Sequence, residues 1–252
     1  MNSNNVKKIQ KFSAVQQALE SLRKYICELD TRNEHRLPSE EELAQQLGIS
    51  RLTVREALAV LESDGVIARS QGKGTVINSF VPRLTSRIDT SREIDTFLQD
   101  NGYKTSSRVL GFAWRQADKD EATKLGISEG EDILVVKKVF MADAIVAAFY
   151  VDRTPRSLFR HEDFTEQDLE KSMFTFIENI CNRQITHDVL EIIPVVSDEE
   201  LSKVFNVPLL TPLLRLDVLE YAEDGVPLMY NSEYYTDKFI RFTLCRNVAF
   251  TS

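Results

Sequence analysis

Residues 37–75 read LPSEEELAQQLGISRLTVREALAVLESDGVIARSQGKGT. Ser39 followed by Glu42 is a capping box, in which the serine hydroxyl takes a free N–H of the first helical turn and the glutamate reaches back to the cap residue. A helix begins there. Leu43, Ala44 and Leu47 give it an apolar face, and Gly48 permits a sharp turn. Ser50 is a second N-cap, followed by Val54, Ala57, Leu58 and Leu61 at helical spacing. Gly65 closes this second helix. Val66–Ser70 and Thr75–Ile77 then read as short strands joined through Gln71, Gly72, Lys73 and Gly74. Two helices across a tight turn followed by a two-stranded wing are the elements of a winged helix-turn-helix.

Arg51, Leu52, Thr53 and Arg55 lie off the apolar face near the start of the second helix, the end such a helix presents to base edges in a DNA major groove. The arginine fork can bond guanine O6 and N7 together, while Ser50 and Thr53 are short enough to hold phosphates beside it. The wing adds Gln71, Gly72 and Lys73, where small residues let the backbone approach the duplex and the lysine adds charge. With Ser39, these are the residues expected to touch DNA.

The stretches LPSEEELAQQLGISRLTVREAL and LESDGVIARSQGKGTVI resemble the DNA-binding domain of the GntR family of bacterial transcription regulators. Arg51, Thr53, Arg55 and Gly72 match the family pattern. Glu41 stands where the family often has a DNA-contacting arginine, and the loop at 31–36 lacks the usual Pro-Gly.

At 252 residues, 42% of them hydrophobic and 28% charged, the chain is long enough for one or two domains with real cores. The net charge of −8 is unevenly divided. Residues 1–80 carry 11 Lys+Arg against 10 Asp+Glu, leaving 20 against 29 for residues 81–252. The acid is thus concentrated away from the expected DNA contacts, and local positive charge is enough for a groove contact. No apolar run reaches membrane-spanning length and the start, MNSNNVKKIQ, has no apolar signal core, so a cytoplasmic protein is expected. Cys27, Cys181 and Cys245 are far apart, and His35, His161 and His187 are scattered, so neither a disulfide framework nor a metal site is predicted. No cofactor is predicted either.

Ahead of the opening stretch, Phe12, Val15, Leu19, Leu22, Ile26 and Leu29 predict a helix that packs under the other two. Lys7, Lys8 and Lys11 precede it. Behind that stretch, 79–90 reads as a linker, dividing the chain into a DNA-binding domain at 1–78 and a second domain at 91–252. In the second domain Ile94, Phe97 and Leu98 predict a short helix, and Val109, Gly111 and Ala113 a strand. A pattern then occurs twice, about eighty residues apart. A helix opened by Asp118 precedes strands at 133–141 and 145–151, and a helix opened by Asp198 precedes strands at 213–221 and 227–235. Between the copies lie one amphipathic helix at 165–180 and a strand at 185–196. The expected class is α+β, an antiparallel sheet with helices packed on one side.

This arrangement resembles the UTRA effector domain, related in fold to chorismate lyase, of the HutC-like branch of GntR regulators. Ser172-Met173-Phe174 resembles that domain's Ser-Leu-Tyr stretch, Tyr235-Thr236-Asp237 its closing motif, and Asp224-Gly225-Val226-Pro227 its turn. The resemblance implies a small-molecule effector between sheet and helices, with Ser172, Phe174 and Tyr235 at the site. Lys138 and Phe140 stand where the family has an Arg-x-Arg pair, and Met229 where it has a glutamate. Those positions predict an anionic effector with an apolar part. The function expected is a ligand-responsive repressor acting as a homodimer on a palindromic operator. The alternative is a lyase-like enzyme domain fused to a DNA-binding module, for which the sequence supplies no catalytic set.

Overall fold

The computed structural model describes residues 14–29, 36–70, 74–78, 80, 86–89 and 91–246. The chain divides into two compact units, Met1–Ile88 with Phe242–Ser252, and Asp89–Arg241. The sequence division placed all of 91–252 in the second domain, whereas the segment from Phe242 onward groups with the first unit. Thr243 explains this locally: its N–H donates to the Ser86 carbonyl at 2.7 Å and its carbonyl accepts from Ile88 at 3.0 Å.

In the first unit α1 (Ala14–Glu28), α2 (Glu40–Leu47) and α3 (Arg51–Ser63) precede a two-stranded wing, β1 (Ile67–Ser70) and β2 (Gly74–Ile77). Val54, Ala57, Leu58 and Leu61 of α3 are fully buried against Ala18, Leu22 and Ile26 of α1 and Leu43 and Ala44 of α2. Side chains of that size contribute about 1.5 to 3 kcal/mol each when taken from water, so this helical stripe fixes α3 in rotation. The capping box at Ser39 forms, and Gly48 caps α2 in the left-handed conformation. At the end of α3 the Val66 N–H returns to the Leu61 carbonyl, closing the helix around Gly65 at φ +68°. A Cβ on Gly65 would sit 2.5 Å from Cys245 Sγ, so this position requires glycine for both conformation and space. Lys7, Lys8, Lys11, Phe12, the loop at 31–35 with His35, and the wing tip Gln71, Gly72 and Lys73 lie outside the described residues.

The second unit opens with α4 (Ile94–Asp100) and β3 (Thr105–Gln116). Then come α5 (Lys119–Leu125), β4 (Asp132–Ala142) and β5 (Ile145–Pro155), α6 (Glu166–Glu170), α7 (Met173–Cys181) and β6 (His187–Val196). It ends with α8 (Glu199–Phe205), β7 (Pro212–Tyr221) and β8 (Pro227–Tyr235). The strands form one antiparallel sheet in the order β3-β4-β5-β8-β7-β6. The internal repeat is larger than the sequence pattern indicated. Each copy is strand, helix, hairpin, and the two copies meet at the central β5–β8 pair. Asp118 and Asp198 cap the equivalent helices, and Gly126 and Asn206 end them in the left-handed conformation.

Helices lie on both faces of the sheet, not on one. On one face α5 and α8 bury Ala122, Leu125, Leu201 and Phe205 against Ile133, Val139, Phe149, Leu213 and Tyr230. On the other, Leu169 of α6 and Phe176, Ile177 and Ile180 of α7 pack on Val109, Leu134, Val136 and Met229. The helix expected at 165–180 is broken at Lys171 and Ser172. The Lys171 carbonyl accepts from Lys138 Nζ at 2.6 Å, and a new helix starts with the Phe176 N–H on the Ser172 carbonyl. A side chain from the sheet thus takes a carbonyl that a continuous helix would have used internally.

Candidate nucleic-acid interface and effector site

Ser50 caps α3, its Oγ accepting from the Thr53 N–H at 3.1 Å and lying 2.9 Å from Thr53 Oγ1. This fixes the first turn of the helix, from which Arg51, Leu52 and Arg55 project. Their exposure decides their availability: Leu52 is 63% exposed and the Arg51 and Arg55 side chains 59% and 56%. Ser39 is committed to its box, donating to Glu42 Oε2 at 2.7 Å. That bond, with a second from the Ser39 N–H to the same oxygen at 2.8 Å, holds the Glu42 carboxyl below its usual range.

The arginines have acidic neighbours on α2. Arg55 Nη2 pairs with Glu40 Oε2 at 2.9 Å, and Arg51 Nη1 lies 3.8 Å from Glu41 Oε2. The hydrogen bond from Arg55 lowers the Glu40 pKa, and the same bond raises that of Arg55. Arg69 on β1 reaches Glu40 at 3.9 Å and Glu62 at 3.2 Å. Both prospective base-reading side chains therefore stand with a carboxylate in reach. Glu40 was not singled out in the sequence, since its role depends on α2 crossing beside α3.

In the second unit, residues opposite each other across neighbouring strands share a face. Val136 is opposite Asp152, which is opposite Asn231. Lys138 is opposite Tyr150, which is opposite Glu233, and Phe140 is opposite Ala148, which is opposite Tyr235. Asn231 Nδ2 donates to Glu220 Oε1 at 3.2 Å from the adjacent strand. The face beyond α6 and α7 thus carries Lys138, Phe140, Tyr150, Asp152, Glu220, Asn231, Glu233 and Tyr235.

Of the residues expected at an effector site, the sheet brings Lys138, Phe140 and Tyr235 together around Tyr150. The Phe140 and Tyr150 rings are 4.8 Å apart, the Tyr150 and Tyr235 hydroxyls 2.6 Å, and the Tyr235 hydroxyl donates to Glu233 Oε2 at 2.5 Å. Ser172 adjoins through Lys171, the carbonyl partner of Lys138. Phe174 is half-buried on α7. Met229 shares this face but lies in the apolar cluster under α7, apart from Tyr235 by the positions of Asn231 and Glu233. It packs in the core.

The electrostatics run against an anion. Ser172 Oγ donates to Glu93, so the hydroxyl expected to meet an anionic ligand already meets a carboxylate of the chain. Burial lowers the Lys138 pKa, opposed by Asp152, Asp95, Glu93 and Glu170. Asp152, 1% exposed, is pushed up to about 7 by desolvation, as is the Glu233 carboxyl, and Glu220 is driven well above the usual range by the same cause. Asp152, Glu220, Glu233, Asn231 and Tyr150 were missed in the sequence because they neighbour one another only across strands. The two described surface depressions, about 550 and 170 Å³, contain none of these residues. Among the described residues no group of His, Cys, Asp and Glu has the arrangement of a metal site, and no helix is long and apolar enough to cross a membrane.

The family model for bacterial regulatory proteins of the gntR family matches residues 14–77, and that for the UTRA domain matches residues 100–240. The chain belongs to the UTRA-bearing branch of the GntR family. The mannosyl-D-glycerate transport/metabolism system repressor MngR of Escherichia coli is 29% identical over 90% of this chain and 93% of its own length. The repressor NagR of Bacillus subtilis is 24% identical over 92% and 93%. A histidine utilization repressor of Pseudomonas aeruginosa is 31% identical over 53% of this chain and 54% of its own. Among solved structures, the possible transcriptional regulator YydK from Bacillus subtilis superposes with a TM-score of 0.73 at 20% identity, over 94% of this chain and all of that one. PhnF from Mycobacterium smegmatis gives 0.58 at 21%, over 92% and 100%. This GntR-family chain is accordingly a DNA-binding transcription regulator of the repressor type and not an enzyme, and its UTRA domain is of a kind that binds small-molecule effectors.

Proposed function

We propose that this GntR-family protein is a cytoplasmic, ligand-responsive repressor that binds a two-fold symmetric operator as a homodimer. The observation that carries this reading is the start of α3, where Arg51, Leu52 and Arg55 are exposed together on a helix whose opposite face is fully buried. Arg51 and Arg55 read bases, Leu52 meets a thymine methyl, Ser50, Thr53, Gln71, Gly72 and Lys73 hold the backbone, and Ser39, its hydroxyl engaged with Glu42, sets the start of α2 beside them. One such helix reads few bases, so two half-sites supply both affinity and a check on spacing. The edge strand β6 exposes Val189, Ile192 and Val196, an apolar edge that a second copy would cover.

The effector site in this reading is the polar face formed by Lys138, Phe140, Tyr150 and Tyr235, with Ser172 and Phe174 at its helix border. The chain passes between the units twice, at 88–89 and at 241–242, which gives a ligand two covalent routes to the DNA-binding unit. The test is titration of the full chain against duplexes, chosen by selection from random sequence, that carry one or both half-sites. Two half-sites should bind at least about a hundredfold tighter than one, with two chains per duplex. Equal affinity for a single half-site would remove the dimer from the mechanism. Arg55→Ala should cost about 1 to 3 kcal/mol and relax preference at one base position per half-site.

A further inference from the structure

The face of the sheet that carries Tyr150 and Tyr235 has an unbalanced set of polar atoms. Both oxygens of Asp152, Glu220 Oε2 and Asn231 Oδ1 are buried without a hydrogen-bond partner. Their residues are between 1% and 4% exposed. Once a cation holds the two carboxyls ionised, all four atoms are acceptors, because a carboxylate and an amide oxygen have nothing to donate. What the face lacks is therefore a donor with several hydrogens. Buried polar atoms are as a rule paired, and leaving a charged one unpaired costs more than leaving a neutral one.

Charge narrows the class. Asp152, Glu220 and Glu233 form no ion pair among the described residues, and Asp188 is opposite Glu220 on β6. Among the described residues the one cation on this face is Lys138, and its ammonium is bonded to the Lys171 carbonyl. The other charged groups acting on Lys138, namely Asp95, Glu93 and Glu170, are also acidic. Phe140, Tyr150 and Tyr235 share this face with the carboxylates, the Tyr150 ring lying 4.8 Å from that of Phe140 and 6.0 Å from that of Tyr235, and the face of an aromatic ring attracts a cation. Tyr150 and Glu233 are the partly exposed members, at the margin where a ligand would enter.

We propose that the effector is a cation, a small molecule whose protonated amine-type nitrogen is held by Asp152, Glu220 and Glu233, with Asn231 as a further acceptor and Tyr150 and Tyr235 as aromatic walls. This rests on reading the chain as a ligand-responsive regulator, and it replaces the anionic effector that Ser172 and Lys138 led the sequence to predict. A doubly charged ligand, or one bearing an amine and several hydroxyls, matches the number of open acceptors better than a simple monoamine.

The experiment uses the full chain and three sets of probes, each an amine, a neutral alcohol and an anion of one carbon skeleton. The sets are putrescine, butanediol and succinate; phenethylamine, phenethyl alcohol and phenylacetate; and glucosamine, glucose and glucose phosphate. Calorimetry measures binding of each, and a gel-shift titration measures its effect on operator affinity. The expected result is that an amine binds at least about tenfold tighter than its alcohol and its anion, and that Asp152→Asn, Glu220→Gln and Glu233→Gln each weaken it about tenfold or more. Amine binding that survives all three substitutions places the cation elsewhere and overturns the inference. An anion that binds in preference and lowers operator affinity overturns it while leaving ligand sensing intact. Absence of binding by every probe, with operator affinity unmoved, overturns both.

Discussion

Replacing Asp152 by Asn tests the charge imbalance without any ligand. The wild-type carboxyl is raised from an ordinary 3.8 to about 7, chiefly by desolvation, with Lys138 and Arg153 acting against the rise. Between about pH 5 and about pH 7 the unfolded chain has released this proton while the folded domain still holds it. The native state then binds more protons than the unfolded one, so stability falls as pH rises. One pKa unit corresponds to about 1.4 kcal/mol, so this residue alone should remove about 2 to 3 kcal/mol over that window. The Asn variant keeps the shape and has no proton to lose. Its advantage over the wild type should grow by about 2 to 3 kcal/mol between pH 5 and pH 7.5. Asp152 is also among the causes that raise Glu220 and Glu233, so the variant should flatten their pH dependence as well. Urea titrations followed by tryptophan fluorescence report on the correct unit, because the single tryptophan, Trp114, packs against Phe159 and Phe164 in the sheet domain. Parallel pH profiles, or an Asn variant less stable at pH 7.5, would show that the folded protein already pairs this carboxylate.

Three further outcomes follow from other parts of the molecule. Glu40→Gln removes the partner of Arg55, so operator affinity should rise several-fold and the salt dependence should steepen; unchanged binding in a gel-shift titration at several salt concentrations would mean the pair stays closed on DNA. Glu121 accepts from Arg115 at 2.5 Å and Arg153 at 2.7 Å and is lowered to about 2, so Glu121→Gln should cost about 3 kcal/mol in denaturant unfolding at neutral pH. Because that pKa is depressed, the stabilisation is present above about pH 4.5 and lost as pH falls toward about 2, a loss the variant should lack. Gly65→Ala should destabilise the first unit by about 1 to 3 kcal/mol in thermal melts followed by circular dichroism, and pairing it with Cys245→Ala should recover the steric part but not the conformational part.

The first unit was legible because its signals are local. A cap, a glycine and an apolar stripe at Ser39, Gly48 and Val54–Leu61 each act within one or two helical turns, and the structure has them where the spacing put them. The sheet strands were legible for the same reason. The polar face was not, since Asp152 meets Asn231 and Glu233 only across the β5–β8 pair, from opposite copies of the repeat. A usable signal did exist in the period of two: PLMYNSEYY in β8 puts Met229, Asn231, Glu233 and Tyr235 on one side, and three of these four can hydrogen-bond. The break at Lys171 and the segment from Phe242 to the first unit had no such signal. Each depends on a partner distant in sequence, Lys138 in one case and Ser86 in the other.

On the proposed assignment the cost of the buried, unbonded acceptors becomes the source of the response. A ligand shifts a conformational equilibrium only by the difference in its affinity for the two states. Carboxylates held in ion pairs would give an incoming cation little to differ over, whereas Asp152 and Glu220, buried without an ion-pair partner and with three of their four oxygens unbonded, favour any arrangement that supplies donors. The strand that carries much of this face is also the one nearest in sequence to the first unit. Tyr235 ends β8, and the unit boundary follows within seven residues, at Arg241 and Phe242. Beyond it, Thr243 pairs with Ser86 and Ile88 in the same unit as α3. A shift of β8 toward a bound cation would therefore pull on a short segment ending in backbone hydrogen bonds, a connection that β5, which leads into α6, does not make.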